Sequence, residues 1–211
     1  MSTEVRVIAA TTHGRVLVRR GESTQERYLF GFHGYLENAE TQMARLAGIP
    51  GSASWTLVSV QALSRVYRGR TEEIAASWMT RQDREHAMAD NIRYVDAVID
   101  DVVRDPRARI VHIGFSQGAA MAFRAATRAV TRAAGIVSIC ADVPPELLAD
   151  PSVAFPRVLF ARGMGDEWLT QEKFDRDVAA LRQRGADVHP LVFEGGHEWT
   201  DEVSRAIGSF L

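Results

Sequence analysis

The pentapeptide Gly114-Phe115-Ser116-Gln117-Gly118 limits what this chain can fold into more than any other stretch. The run before it, Arg109-Ile110-Val111-His112-Ile113, has the continuous apolar character of a strand buried on both faces. The alanine-rich run after it, from Gln117 through Arg128 to about Thr131, reads as a helix. A strand that passes into a helix over so few residues turns sharply and holds the serine in strained backbone geometry, and side chains at positions 114 and 118 would collide in that turn. The hydroxyl is then lifted above the sheet edge with the Gln117 N–H aimed at the same point, the arrangement of a nucleophile elbow.

The chain has 211 residues, enough for one α/β domain with a sizeable core over residues 1–211 and too few for two ordinary ones. A net charge of -2 and a pI near 6.3 give no global field that favours nucleic acid or an anionic membrane. The expected partner is therefore a small molecule, with no nucleic acid and no membrane span; a homodimer stays open. The single cysteine, Cys140, lies between Ile139 and Ala141, which excludes an internal disulfide and points to core packing rather than a metal site. The opening residues lack the apolar core of a signal peptide, and no later run approaches eighteen apolar residues, so a soluble cytoplasmic protein is expected.

Taken in order, Val5–Ala9 and Arg15–Arg19 flank His13-Gly14 and suggest an edge hairpin. Arg27–Phe32 reads as a strand ending at His33-Gly34-Tyr35, followed by a helix from Glu37 or Asn38 to about Ala47, where Gly48-Ile49-Pro50 stops it. Trp55–Ala62 is the next strand, and 63–82 is expected to be loop plus a short helix over the mouth of the site. From Asp83, Met88, Ile92, Val95, Val98, Ile99 and Val102 recur at helical spacing until Asp105-Pro106, and these are expected core positions. Strands follow at 135–141, 157–161 and 188–193, with a short turn or helix at Val143–Glu146. Thr170 opens a helix to Arg184, and Thr200 caps the last one. The alternation predicts a doubly wound, mostly parallel sheet with helices on both faces.

A serine needs a base to take its proton, and the base needs an acceptor that fixes its tautomer. Behind an elbow the chain order is serine, acid, histidine, each on a loop after a strand. Asp166 and His197 satisfy that order on glycine-bearing loops. Asp142 also follows a strand and is the alternative acid, while Glu194 lies near His197; Asp175 and Asp177 read as helical surface charges. His112 and His189 fall in strands and read as structural, His86 and His13 as surface residues. His33 precedes the serine and is better placed to brace a loop that stabilises the oxyanion. The donors for that oxyanion are the Gln117 N–H and, after the tight turn that Gly34 permits, the Tyr35 N–H. Trp78, Met79, Leu36 and Trp168 are candidates for an apolar acyl site. No metal and no cofactor is called for.

With Gly114–Gly118, the phrases His33-Gly34-Tyr35-Leu36-Glu37-Asn38 and Gly165-Asp166-Glu167-Trp168-Leu169-Thr170 make the chain resemble the phospholipase/carboxylesterase family of small α/β-hydrolases, which includes acyl-protein thioesterases. The resemblance extends from the Phe30 strand to the His197 loop. It implies an α/β-hydrolase fold with no large cap domain and a serine carboxylesterase acting on short- or medium-chain acyl esters. Ser116 would be nucleophile, Asp166 acid and His197 base, with Tyr35 and Gln117 amides at the oxyanion. Leu36 stands where the family often has glycine, which implies a stiffer loop. A thioesterase, lysophospholipase or acyltransferase would use the same triad, and a non-catalytic ligand-binding protein on this scaffold is the rival from another class. No Gly-x-Gly-x-x-Gly follows the first strands, which disfavours a dehydrogenase.

Overall fold

The continuous apolar runs become strands and the periodic runs become helices in a computed structural model that describes residues 2–128 and 133–211. The strands are β1 (Arg15–Arg19), β2 (Arg27–Phe32), β3 (Thr56–Gln61), β4 (Ser64–Tyr67), β5 (Ile74–Ser77), β6 (Arg109–Phe115), β7 (Gly135–Ile139), β8 (Arg157–Gly163) and β9 (Val188–Phe193). The α-helices are α1 (Ala39–Ala47), α2 (Arg84–Val102), α3 (Gln117–Arg128), α4 (Pro145–Ala149), α5 (Gln171–Gln183) and α6 (Asp201–Phe210). The expected end of α3 near Thr131 lies outside the described residues.

Seven strands pair in the order β1-β3-β2-β6-β7-β8-β9, all parallel except β1, which runs antiparallel to β3. One face of this sheet packs on α1 and α6 through Met43, Leu46, Val203, Ile207 and Phe210. The other packs on α2, α3, α4 and α5 through residues such as Val95, Met121, Leu147, Phe174 and Leu181. The sheet is thus doubly wound, an α/β-hydrolase fold without a large cap domain among the described residues. β9 is one edge of the sheet and contains Pro190.

Helix starts follow side-chain caps. Asn38 accepts from the Thr41 N–H at 2.9 Å, Thr170 from Lys173 and Thr200 from Val203, each filling a donor that the helix leaves free. Helix α2 ends at Val102, before Asp105-Pro106, and its expected core residues Met88 and Ile92 are only partly buried.

Two expectations are corrected. Val5–Ala9 forms no strand; Val5 and Ile8 are exposed, and β1 pairs with β3 from Arg15↔Gln61 to Arg19↔Leu57 instead of folding back on the residues before it. That pairing packs Val16 and Leu17 against the core, a gain that an isolated two-stranded hairpin does not offer. Residues 63–82 contain no helix but the antiparallel pair β4–β5, turned at Gly69 with φ 57°. A backbone bridge between Glu37 and Ala76 ties this hairpin to the loop after β2.

Candidate active site

β6 ends at Phe115 and α3 begins at Gln117, so Ser116 alone makes the turn. It takes φ 52°, a left-handed conformation that costs an L-residue about 1–3 kcal/mol unless its surroundings enforce it. A Cβ on Gly114 would lie 2.3 Å from the Gly118 oxygen, the collision across the turn that the sequence implies. At Gly118 the neighbour is different: a Cβ there would lie 2.2 Å from the Phe32 oxygen and 2.5 Å from that of His33, so this glycine lets the elbow approach β2. The Ser116 N–H donates to the Ile139 carbonyl at 2.8 Å and pins the turn to β7.

His197 Nε2 lies 2.8 Å from Ser116 Oγ, and His197 Nδ1 lies 3.1 Å from each carboxylate oxygen of Asp166. A carboxylate accepts, so the ring proton belongs on Nδ1 and leaves Nε2 as acceptor for the serine hydroxyl. Burial pushes the Asp166 carboxyl up, but the Leu169 and Trp168 amides, the Cys140 thiol and His197 outweigh it and hold the group below the usual carboxylate range. Arg162, buried beneath the acid loop, donates to the carbonyls of Leu169 and Met164 and to Gln171 Oε1, which fixes the loop's path.

The loops that carry Asp166 and His197 touch through backbone. A Cβ on Gly163 would lie 2.1 Å from the Gly196 oxygen, and the Gly165 N–H donates to the Gly195 carbonyl at 2.8 Å. Cys140 closes the floor of this corner, its Sγ facing the carbonyls of Glu198 and Gly196. Cys140, Asp166 and His197 place potential ligand atoms within 4.8 Å of one another. Burial drives the thiol up to about 12, so it is protonated and a poor metal ligand, and the other two groups already engage each other.

The loop after β2 supplies the other wall. Glu37 Oε2 accepts from the Gly34 N–H at 2.7 Å, and Arg45 clamps the same carboxylate with both terminal nitrogens at 2.6 and 2.8 Å. Burial pushes Glu37 up, but Arg45 and the Gly34 amide hold it below its ordinary value. Arg45 also lies 4.5 Å over the Phe115 ring. His33 accepts at Nε2 from the Ala62 N–H and meets the Gly34 carbonyl at Nδ1, and burial pushes its imidazole down, so it braces this loop as a neutral ring. Tyr35 and Gln117 both line the cavity over Ser116, and no hydrogen bond from either backbone amide is found among the described residues.

That cavity encloses about 930 Å³ and is lined by Met79, Phe115, Val143 and Trp168 beside Ser116 and His197. Trp78 does not line it; the indole is buried against Phe32 and donates Nε1–H to the His33 carbonyl at 2.8 Å. Leu36 is also absent from the lining and takes φ 55°, where a glycine would be unstrained.

The alternative acids stand elsewhere. Asp142 is exposed and faces Lys173 and Arg176, and Glu194 points to solvent. His112 is sealed between Phe30 and Phe32, and exposed His189 meets Asp187. Sequence reasoning missed the Gln117 side chain, which accepts from the Trp78 N–H and donates to the Met79 carbonyl, and it missed the Arg45 and Arg162 clamps. Those contacts join residues 2 to 39 positions apart without any periodic pattern, so only the folded chain reveals them.

Residues 73–167 match the phospholipase/carboxylesterase family model, a span that includes Ser116 and Asp166. No curated protein matches the chain. Among solved structures, acyl-protein thioesterase 2 of Zea mays is 18% identical with a TM-score of 0.73, covering 94% of this chain and 97% of its own. The carboxylesterase of Bacillus cereus is 17% identical with a TM-score of 0.74, covering 93% and 92%. Esterase PE8 is 21% identical with a TM-score of 0.71, covering 93% and 96%. At such identities the likeness establishes the shared fold.

Proposed function

We propose that this chain, with its α/β-hydrolase fold and its match to the phospholipase/carboxylesterase family over residues 73–167, is a serine carboxylesterase acting on short- or medium-chain acyl esters. The observation that carries the reading is the unbroken line from Ser116 Oγ through His197 to Asp166, at 2.8 and 3.1 Å. Ser116 Oγ attacks the acyl carbonyl as its proton passes to His197 Nε2. The tetrahedral oxyanion accepts from the Tyr35 and Gln117 amides; one such donor is worth about 2.7–4 kcal/mol of barrier in comparable sites. His197 then protonates the departing alkoxide, leaving an acyl-serine, and water attacks that ester with His197 again taking the proton. Asp166, held ionised, keeps the Nδ1 proton in place and stabilises the imidazolium in both halves.

Initial rates on p-nitrophenyl esters of increasing acyl length, with wild type and Ser116→Ala side by side, test the proposal. The expected result is turnover that disappears in the variant, with a length optimum that sizes the acyl site, and labelling of Ser116 by a fluorophosphonate. Equal rates in the two proteins, or no labelling, overturn it. Acyl thioesters in the same assay separate an esterase from a thioesterase.

A further inference from the structure

The cavity over Ser116 extends to a group of guanidinium side chains that acyl transfer does not use. Arg124 lies on α3 eight residues beyond the nucleophile, about 12 Å of helix axis, and helical side chains lean back toward the N-terminus, here toward the serine. Its side chain is 1% exposed and forms part of the cavity wall. Nε and Nη2 both donate to one oxygen of Glu146, at 2.9 and 2.7 Å, while Nη1 is buried with no partner among the described residues. Arg84 and Arg81 line the same cavity, and neither meets a carboxylate at ion-pair distance among the described residues. Arg84 is near enough for its charge to bear on both Arg124 and Glu146.

The other charges around the cavity are already neutralised, Glu37 by Arg45 and Lys173 by Asp142. Arg124 and Arg84 therefore share one carboxylate, Glu146, and Arg81 adds a third guanidinium to the cavity wall. A buried charged donor without an acceptor is costly, and a ligand that supplies the acceptor recovers that cost. A planar carboxylate suits a guanidinium edge, and Arg124 already holds one such group, the Glu146 carboxylate, through Nε and Nη2.

We propose that this part of the cavity is a carboxylate-recognition subsite formed by Arg124 and Arg84, and that the ester cleaved at Ser116 carries a carboxylate on a chain that reaches them. The assignment deepens the esterase reading and rests on it for the reaction, but not for binding.

Two measurements separate the two ideas. The first compares p-nitrophenyl hemiesters of adipic, pimelic and suberic acid with their terminal methyl esters, and butyryl esters of 4-hydroxybutyrate with those of its methyl ester. In wild type, one series or the other shows kcat/KM at least tenfold higher for the acid than for its neutral partner, mainly through KM. That ratio falls at least fivefold in Arg84→Gln and Arg124→Gln and shrinks with added salt. Arg84 is exposed, so its variant keeps the test valid if loss of Arg124 unfolds the chain. The second titrates Ser116→Ala calorimetrically with adipate, with 1,6-hexanediol and with inorganic phosphate. Adipate binding that weakens at least fivefold when Arg84→Gln is added, with no diol binding, supports the subsite even if no ester is turned over, an outcome that would sink the esterase reading alone. Ser116-dependent turnover with ratios near one in both series, or phosphate bound more tightly than adipate, overturns the subsite and leaves the esterase reading intact.

Discussion

Gln117 holds the backbone of Met79. Its Nε2 donates to the Met79 carbonyl at 2.8 Å, and its Oε1 accepts from the adjoining Trp78 N–H at 2.8 Å. The residue proposed to stabilise the oxyanion with its main chain thus fastens the strap after β5 with its side chain. Gln117→Ala leaves the Trp78 N–H without a partner at the cavity wall and the Met79 carbonyl with the Ser77 hydroxyl alone, a cost of about 1–3 kcal/mol. Urea unfolding is expected to register that loss, and kcat/KM for a p-nitrophenyl ester to fall about tenfold through misplacement of the wall. Unaltered stability and turnover together would show that the strap is held by something else.

Removing the proposed nucleophile or the proposed acid has a sharper signature. Ser116→Ala is expected to lower kcat by about 10⁴ or more, and Asp166→Asn by about 10⁴, because the amide no longer fixes the Nδ1 proton. Full turnover in either variant excludes that residue from the proposed role.

Gly163 and Gly165 lie two residues apart and make a built-in comparison. A Cβ at 163 would sit 2.1 Å from a backbone oxygen, whereas one at 165 would find its nearest neighbour at 3.4 Å. Gly163→Ala is expected to push the loops of Asp166 and His197 apart, costing about 1–3 kcal/mol and most of the proposed esterase activity, while Gly165→Ala stays close to wild type. Thermal melts and ester assays on the pair decide it, and equal behaviour would refute the close-packing argument.

His112 gives stability a pH dependence that does not involve the reaction. Burial pushes its imidazole down from 6.5 to about 3. The unfolded chain therefore takes up a proton near pH 6.5 that the folded chain refuses, so the stability linked to His112 is full above that pH and is lost as the pH falls toward 3. Between pH 7.5 and 5, wild type should lose about 2 kcal/mol more than His112→Leu, in which this titration is gone. Denaturant curves at the two pH values measure the difference, and parallel losses would place the acid sensitivity in other groups.

The sequence made the fold legible wherever one local rule acted alone. Continuous apolar runs gave β6, β7 and β8, and Asn38, Thr170 and Thr200 marked helix starts because each fills a donor within its own turn. Ser116, Asp166 and His197 could be paired in advance because chain order and strand ends restrict the choices, and the distances now bring those three together. Local rules failed where the partner was distant. Val5–Ala9 has strand character but pairs with no strand, its side chains staying exposed, and β4–β5 became a hairpin because its two arms satisfy each other across a turn at Gly69. Arg124 reads in sequence as one more polar residue on an alanine-rich helix, and only burial beside Glu146 distinguishes it.

Pro190 lies in β9, the edge strand whose exit loop carries His197. A strand that lacks a backbone donor at that position is a poor template for a foreign strand. The border of the sheet nearest His197 is thereby kept from growing, and the loop that aims His197 at Ser116 answers to the chain's own packing rather than to a foreign strand paired along it.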